Sequence, residues 1–256
     1  MTPSDADHGP DADVDAVADS GPDADVDAVA DSGPDADADR RPSEPAFPDS
    51  RHVLEADCDR CPALEDAREC ISWGTGSLEA DVVVVGEAPG YGNPEADRWQ
   101  GGNWTGKAYT SRHSGRRIRR MLERVGYDDA YYTNAVKCYP ADSDDASNNR
   151  EPTPEEGDNC RTHLLAELDL VDPEVVLATG KHATATVLAA EGRELEGFLE
   201  TVLEPIRCET LGVHLVPVVH PSYQDVWIGR LGYEPEEYLA AIGETLDRLC
   251  TTPPDG

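Results

Sequence analysis

Residues 81–90 read Asp-Val-Val-Val-Val-Gly-Glu-Ala-Pro-Gly, and this stretch decides the fold. Four consecutive β-branched residues with no polar alternation suit a strand buried on both faces, the signature of a parallel sheet covered by helices. The strand ends at Gly86, and Gly86-Glu-Ala-Pro-Gly90 follows as a tight turn. Such a turn exposes backbone N–H groups at a strand end, where they can hold an anion or a carbonyl oxygen. Taken alone, a purely structural turn accounts for it equally well.

Outward from this strand the chain alternates in βα units. Residues 130–136, 174–179 and 214–219 are three further apolar runs of strand length. Between them, Ile118, Met121, Leu122 and Val125 fall at i, i+3, i+4 and i+7, one helical stripe. Thr153-Pro-Glu-Glu156 is a capping box with proline at the first helical position. A third helix is expected from about Gly180 to Gly192, and a last one from Pro235 to Leu249. The pattern predicts a three-layer α/β/α domain with a mostly parallel central sheet of about four strands. In such sheets, sites form at the carboxyl ends of the strands.

The domain is expected to span residues 49–256, behind an acidic tail. From Gly9 the chain reads GPDADVDAVADS, repeats it from Gly21 and starts a third copy at Gly33. That composition has too little apolar area to offset the entropy of ordering, so residues 1–48 are expected to be disordered. The formal net charge is −32, from 53 acidic and 21 basic residues. The tail holds 14 and 2 of these, which leaves 39 and 19, a balance of −20, for the rest. Only Lys107, Lys137 and Lys181 are lysines, against eighteen arginines. An acidic, lysine-poor surface is expected of a protein soluble in multimolar salt, where a screening length of about 3 Å removes most self-repulsion. The acidic start with no apolar core segment predicts no signal peptide, and nothing reaches the length of a membrane span. Seven cysteines, an odd number, do not suggest a secreted disulfide framework. A cytoplasmic monomer is the expectation.

Three constellations could carry chemistry. His220-Pro-Ser-Tyr223 ends the last strand, where a histidine can donate to a substrate oxygen, although a lone histidine is more often just a satisfied polar group. Cys58-Asp-Arg-Cys61, Cys138 and Cys160 supply four thiolates, enough for zinc or a [4Fe–4S] cluster. Cys70, Cys208 and Cys250 read as small apolar residues. Arg112, Arg116, Arg117, Arg119, Arg120 and Arg124, with His113, crowd one helix of an acidic domain. A charge run is usually a solvated face, but this one holds six of nineteen cations and begins beside the strand ends, so phosphate binding is the preferred reading.

Together these pieces resemble the family 4, iron–sulfur uracil-DNA glycosylases, in a haloarchaeal-type member. The Gly86-Glu-Ala-Pro-Gly90 turn, Thr133-Asn-Ala-Val-Lys-Cys138, Asn149-Arg150 leading into Pro-Thr-Pro-Glu-Glu156, and the His220 motif occur in the family's order. Four motifs in one order are far more specific than any one of them. The resemblance covers roughly residues 57–249. It implies a glycosylase that flips uracil out of single- or double-stranded DNA and hydrolyses its N-glycosidic bond, leaving an abasic site. Gly86, Ala88, Pro89, Gly90 and Ser222 would line the base pocket, Tyr109 would stack on the base, and Asn134 would read its polar edge. His220 would stabilise the anion developing on uracil. Ala88 stands where better-known uracil glycosylases carry a water-positioning aspartate, so either Glu87 substitutes or the reaction proceeds without a dedicated base. Arg112, Arg116, Arg117 and Arg120 would meet phosphates. Cys58, Cys61, Cys138 and Cys160 would ligate a [4Fe–4S] cluster, with zinc as the alternative occupant. The 138–160 spacing is long for the family and is filled by Asp-Ser-Asp-Asp-Ala-Ser.

Three rivals share these features: a relative acting on another deaminated base, a non-catalytic iron–sulfur nucleic-acid binding protein, and a nucleotide-binding redox protein. The last lacks a G-x-G-x-x-G after the first strand. Asn134 and His220 together argue against the second, since a binder needs neither.

Overall fold

The computed structural model describes residues 44–250. The acidic repeat, with its expected disorder, lies outside these residues. Residues 44–48, assigned to the tail from sequence, lie within them and pack on the domain. Glu44 accepts a hydrogen bond from Trp99 Nε1 at 2.6 Å, and the Phe47 ring meets that indole edge-on.

Five strands form one sheet: β1 (Val82–Gly86), β2 (Tyr131–Asn134), β3 (Val175–Thr179), β4 (Ile206–Cys208) and β5 (Val213–Val218). Their order is β2-β1-β3-β5-β4. The first four are parallel, and β4 is an antiparallel edge strand on β5. The four expected strands are all present, and β4 is additional. It is three residues long, too short to show a period.

The valines of β1 show why the sheet is central. Val82 and Val84 face a core built with α3 (Ser114–Arg124), α6 (Gln224–Arg230) and α7 (Pro235–Leu249). Val83 and Val85 face the other core, built with α4 (Pro154–Val171) and α5 (Lys181–Ala190). All four are essentially unexposed, so each contributes about 1.5–3 kcal/mol of burial free energy. Helices on both faces make the third layer. The capping box at Thr153 is formed in both directions, and α7 starts on a second box between Glu234 and Glu237.

Two short helices complete the domain, α1 (Pro62–Ala67) after the paired cysteines and α2 (Gly102–Thr105) in the tryptophan-bearing loop. Among the described residues no helix is long and apolar enough to cross a membrane.

Candidate active site

Because β2, β1, β3 and β5 are parallel, their carboxyl ends share one edge of the sheet. Asn134 closes β2 opposite Gly86, the last residue of β1. Thr179 closes β3 opposite Val218 of β5, two residues before His220. The chain winds to either side of β1, the switch point at which open α/β sheets bind ligands.

Gly86 is where three groups converge. A Cβ there would stand 2.5 Å from Asn134 Oδ1 and 2.6 Å from the Tyr109 hydroxyl, so only glycine fits. Tyr109 donates or accepts a 2.6 Å bond with Thr179 Oγ1, and its backbone is left-handed, at φ 52°. That strained backbone is held from outside. Arg119 Nε donates to the Tyr109 carbonyl at 3.1 Å, and Gly115 lets α3 approach, since a Cβ there would meet the same oxygen at 2.4 Å. Burial pushes the Tyr109 phenol far above its ordinary pKa, so it stays neutral.

The 86–90 turn is tied to the end of β2 by two main-chain bonds, Ala135 N–H to Gly86 O at 2.7 Å and Val136 N–H to Glu87 O at 2.8 Å. Pro89 is buried, Glu87 and Ala88 half-buried, and Gly90 exposed. Ala88 packs against the cysteine cluster on the turn's other side.

His220 caps a single 3-10 turn, Pro221–Tyr223. Its Nδ1 accepts from Ser222 N–H at 3.3 Å. With Nδ1 accepting, the neutral tautomer carries its proton on Nε2. Ser222 reaches the site region through this amide, and its side chain is exposed. Gly180 holds a left-handed φ of 93°, which favours glycine, and lies beside the His220 side chain.

The arginine run divides, and the sequence expectation of one phosphate-facing set needs correcting. Arg119 is buried: its guanidinium lies 3.9 Å over the Tyr132 ring and donates to Thr75 Oγ1 and to the carbonyls of Ala108 and Tyr109. Burial lowers its pKa to about 10, which leaves it charged at neutral pH. Arg124 is engaged by Glu236 at 2.5 Å. Arg112 precedes the helix and is exposed, while Arg116, Arg117 and Arg120 lie half-buried along α3. Arg116 Nε stands 3.5 Å from Glu44. Helix α3 packs against the turn that carries His220, so these arginines border the site.

The four expected cysteine ligands come together. Cys138 and Cys160 are buried with Leu64, Ile71, Trp73 and Val136, and Cys58 and Cys61 pack against this group. The long 138–160 spacing does not prevent this, because Ala141 pairs with Asn149 and the insertion leaves the domain as an exposed turn. Arg150 then anchors the return with paired bonds to Glu156, at 2.8 and 2.7 Å. Cys70 stands apart from the set, its thiol directed at the Trp104 carbonyl.

The donors around the sulfurs suit a thiolate-bound group. Arg68 donates to Cys138 Sγ at 3.3 Å, and Asn159 Nδ2 donates to Cys61 Sγ at 3.4 Å. Without a cation, burial pushes the Cys138 thiol up and Cys160 to about 11. A bound metal would reverse that, since its charge deprotonates the ligating thiols. Glu55, Cys58 and His163 also bring their ligand atoms within 4.8 Å of one another. His163, Thr179, Lys137 and Glu167 were given no role from sequence, and Arg119 was grouped there with the phosphate-facing arginines.

Fold and site define a three-layer α/β protein with Asn134, Tyr109 and Thr179 gathered at the sheet's carboxyl edge and a thiol cluster packed against Ala88 of the 86–90 turn. Residues 73–241 match the family model of the Uracil DNA glycosylase superfamily, and the chain belongs to that superfamily. It is 33% identical over 172 residues to the Type-4 uracil-DNA glycosylase of Thermotoga maritima, covering 65% of this chain and 77% of that protein. The Type-4 uracil-DNA glycosylase of Pyrobaculum aerophilum is 31% identical over 67% of this chain and 81% of its own length. The Type-5 uracil-DNA glycosylase of the same organism is 32% identical, over 69% and 83%.

Proposed function

We propose that this chain is a DNA-repair glycosylase that hydrolyses the N-glycosidic bond of uracil in DNA and leaves an abasic site. The observation that carries this reading is the convergence of Asn134, Gly86 and Tyr109 at the paired ends of β2 and β1, with His220 just past the end of β5 on the same edge of the sheet. A base must be extruded from the duplex to reach such a recess, at a cost of a few kcal/mol. Tyr109 would stack on the base, and Asn134, anchored at the end of β2, would supply the amide that distinguishes uracil from cytosine. As the bond breaks, negative charge develops on uracil. Nε2–H of His220 and the amides of residues 86–90 are donors that stabilise it, the kind of contribution expected to be largest. Glu87 is the remaining carboxyl near the turn, suited to orient water.

Arg112, Arg116, Arg117 and Arg120 would neutralise DNA phosphates, single- or double-stranded. Cys58, Cys61, Cys138 and Cys160 would hold a [4Fe–4S] cluster, with zinc as the alternative. Held by these four thiolates, such a group would serve a structural role, with its ligands joining the N-terminal segment to the 138–160 loop beside the 86–90 turn. The acidic surface suits a cytoplasmic, halophilic, monomeric protein.

Alkali cleavage of labelled oligonucleotides bearing uracil, hypoxanthine, xanthine or cytosine at one position, in high potassium chloride, tests the reading. Scission confined to uracil supports it. Scission at another deaminated base instead, or none by iron-loaded protein, replaces it with the corresponding rival.

A further inference from the structure

One buried charged pair lies outside the roles assigned so far. Lys137 and Glu167 are essentially unexposed and meet at 2.5 Å. Removing two charges from water costs several kcal/mol per ion, and apolar replacements of such pairs are often neutral or stabilising. Stability alone therefore gives little reason for the pair, whereas what it holds gives a specific one. Lys137 Nζ has three N–H bonds and three acceptors: Glu167 Oε2, Thr133 Oγ1 at 2.7 Å and the Asn134 carbonyl at 2.5 Å. Glu167 is equally saturated, receiving Gly74 N–H and the Tyr131 hydroxyl on Oε1, and Thr133 and Lys137 on Oε2. A compact ammonium satisfies three acceptors around a point, and a planar guanidinium does not. In a chain with eighteen arginines and three lysines, one lysine sits here.

The peptide joining Asn134 to Ala135 is thus gripped on both sides, its carbonyl by Lys137 and its N–H by the Gly86 carbonyl. The main chain of Lys137 reaches the other way: its carbonyl accepts from Ser72 N–H, and the next residue is Cys138 of the buried cysteine cluster. We propose that Lys137, neutralised by Glu167, is a positioning residue that fixes Asn134 against the Gly86 turn for base recognition and couples that geometry to the cysteine cluster. The inference rests on Asn134 reading the base, as argued under the proposed function.

The test is a double-mutant cycle on the iron-loaded full chain. Lys137→Met with Glu167→Gln removes both charges and the donor to the Asn134 carbonyl, but keeps acceptors for Gly74 and Tyr131. In the wild-type background this pair should slow single-turnover uracil release by roughly tenfold to a hundredfold. Iron absorbance and oligonucleotide affinity should be retained. In an Asn134→Ala background the same pair should cost less than about twofold, because its effect is already lost. Equal losses in both backgrounds, or no loss in either, overturn the inference. An inactive wild type instead removes the glycosylase reading, and an Asn134→Ala variant as fast as wild type removes both the role of Asn134 and this inference. If the pair variant does not fold, Glu167→Gln alone is run through the same cycle with the same criteria.

Discussion

The hydroxyl of Tyr109 lies 2.6 Å from Oγ1 of Thr179, so this buried aromatic ring is tethered to the end of β3. The two residues are seventy positions apart, and their meeting depends on the parallel register that brings the ends of β1 and β3 together.

The tether separates two roles of Tyr109. Tyr109→Phe keeps the ring and loses one buried bond, an expected cost of about 1 kcal/mol in stability. Its uracil-release rate should stay near wild type. Tyr109→Ala removes the stacking face, worth about 1–3 kcal/mol per base, so kcat/KM should fall by about tenfold to a hundredfold. Thermal melts and steady-state kinetics on the two variants give both answers, and equal activity of the two would remove the stacking role.

Gly86→Ala places a methyl within 2.6 Å of both Asn134 Oδ1 and the Tyr109 hydroxyl. Overpacking of this kind costs about 1–3 kcal/mol. Because the methyl enters the pocket, activity should be lost well before stability is, as seen by comparing a melt with single-turnover cleavage. A fully active variant would place base binding elsewhere.

The arginines of α3 should fall into two classes. Arg117→Ala and Arg120→Ala should each lower the slope of log affinity against log salt by about 1, with little change in stability. Arg119→Met should instead destabilise by about 3 kcal/mol or more, since buried acceptors lose their charged donor. Fluorescence anisotropy across a salt series, beside denaturant melts, distinguishes them. A salt slope unchanged in Arg117→Ala and Arg120→Ala would remove the phosphate contacts.

The Arg150–Glu156 pair predicts a pH effect. Burial pushes the Glu156 carboxyl up, but the Arg150 guanidinium and the Thr153 amide outweigh it and hold the group below its usual range. A depressed folded pKa stabilises above the ordinary value of about 4.5 and is lost as pH falls through the folded one. Wild type should therefore lose this contribution only in acid, while Glu156→Gln lacks it at neutral pH and shows a flatter acid limb. Melting temperature against pH for the two proteins reads this directly, and parallel curves would contradict it.

The cysteines offer a contrast within one residue type. Cys160→Ser should lose the absorbance of bound iron and lower the melting temperature, and Cys70→Ser should keep both. Loss of iron from Cys70→Ser would put that thiol into the ligand set.

The parts of this fold legible in sequence were those whose signal is local. The valines of 82–85 announce a strand buried on both sides, and the Thr153 box and Pro235 announce helix starts that the structure reproduces to the residue. The edge strand β4 was not legible, because three residues with one buried, one half-buried and one exposed side chain carry no pattern. The cysteines and Asn134 could be proposed from spacing and family likeness. Arg119 and Lys137 could not, because a cation's inward turn depends on acceptors contributed by distant segments, Thr75 in one case and Glu167 in the other.

The most direct measurement of the central claim is single-turnover cleavage of a uracil-containing oligonucleotide by wild type and His220→Ala, with affinity for the same strand measured in parallel. Nε2–H of His220 is proposed to act on charge that develops only as the bond breaks. The rate should therefore fall by roughly a hundredfold to a thousandfold while binding changes little. A variant that cleaves at the wild-type rate, or a wild type that binds the strand and never releases uracil, would contradict the account.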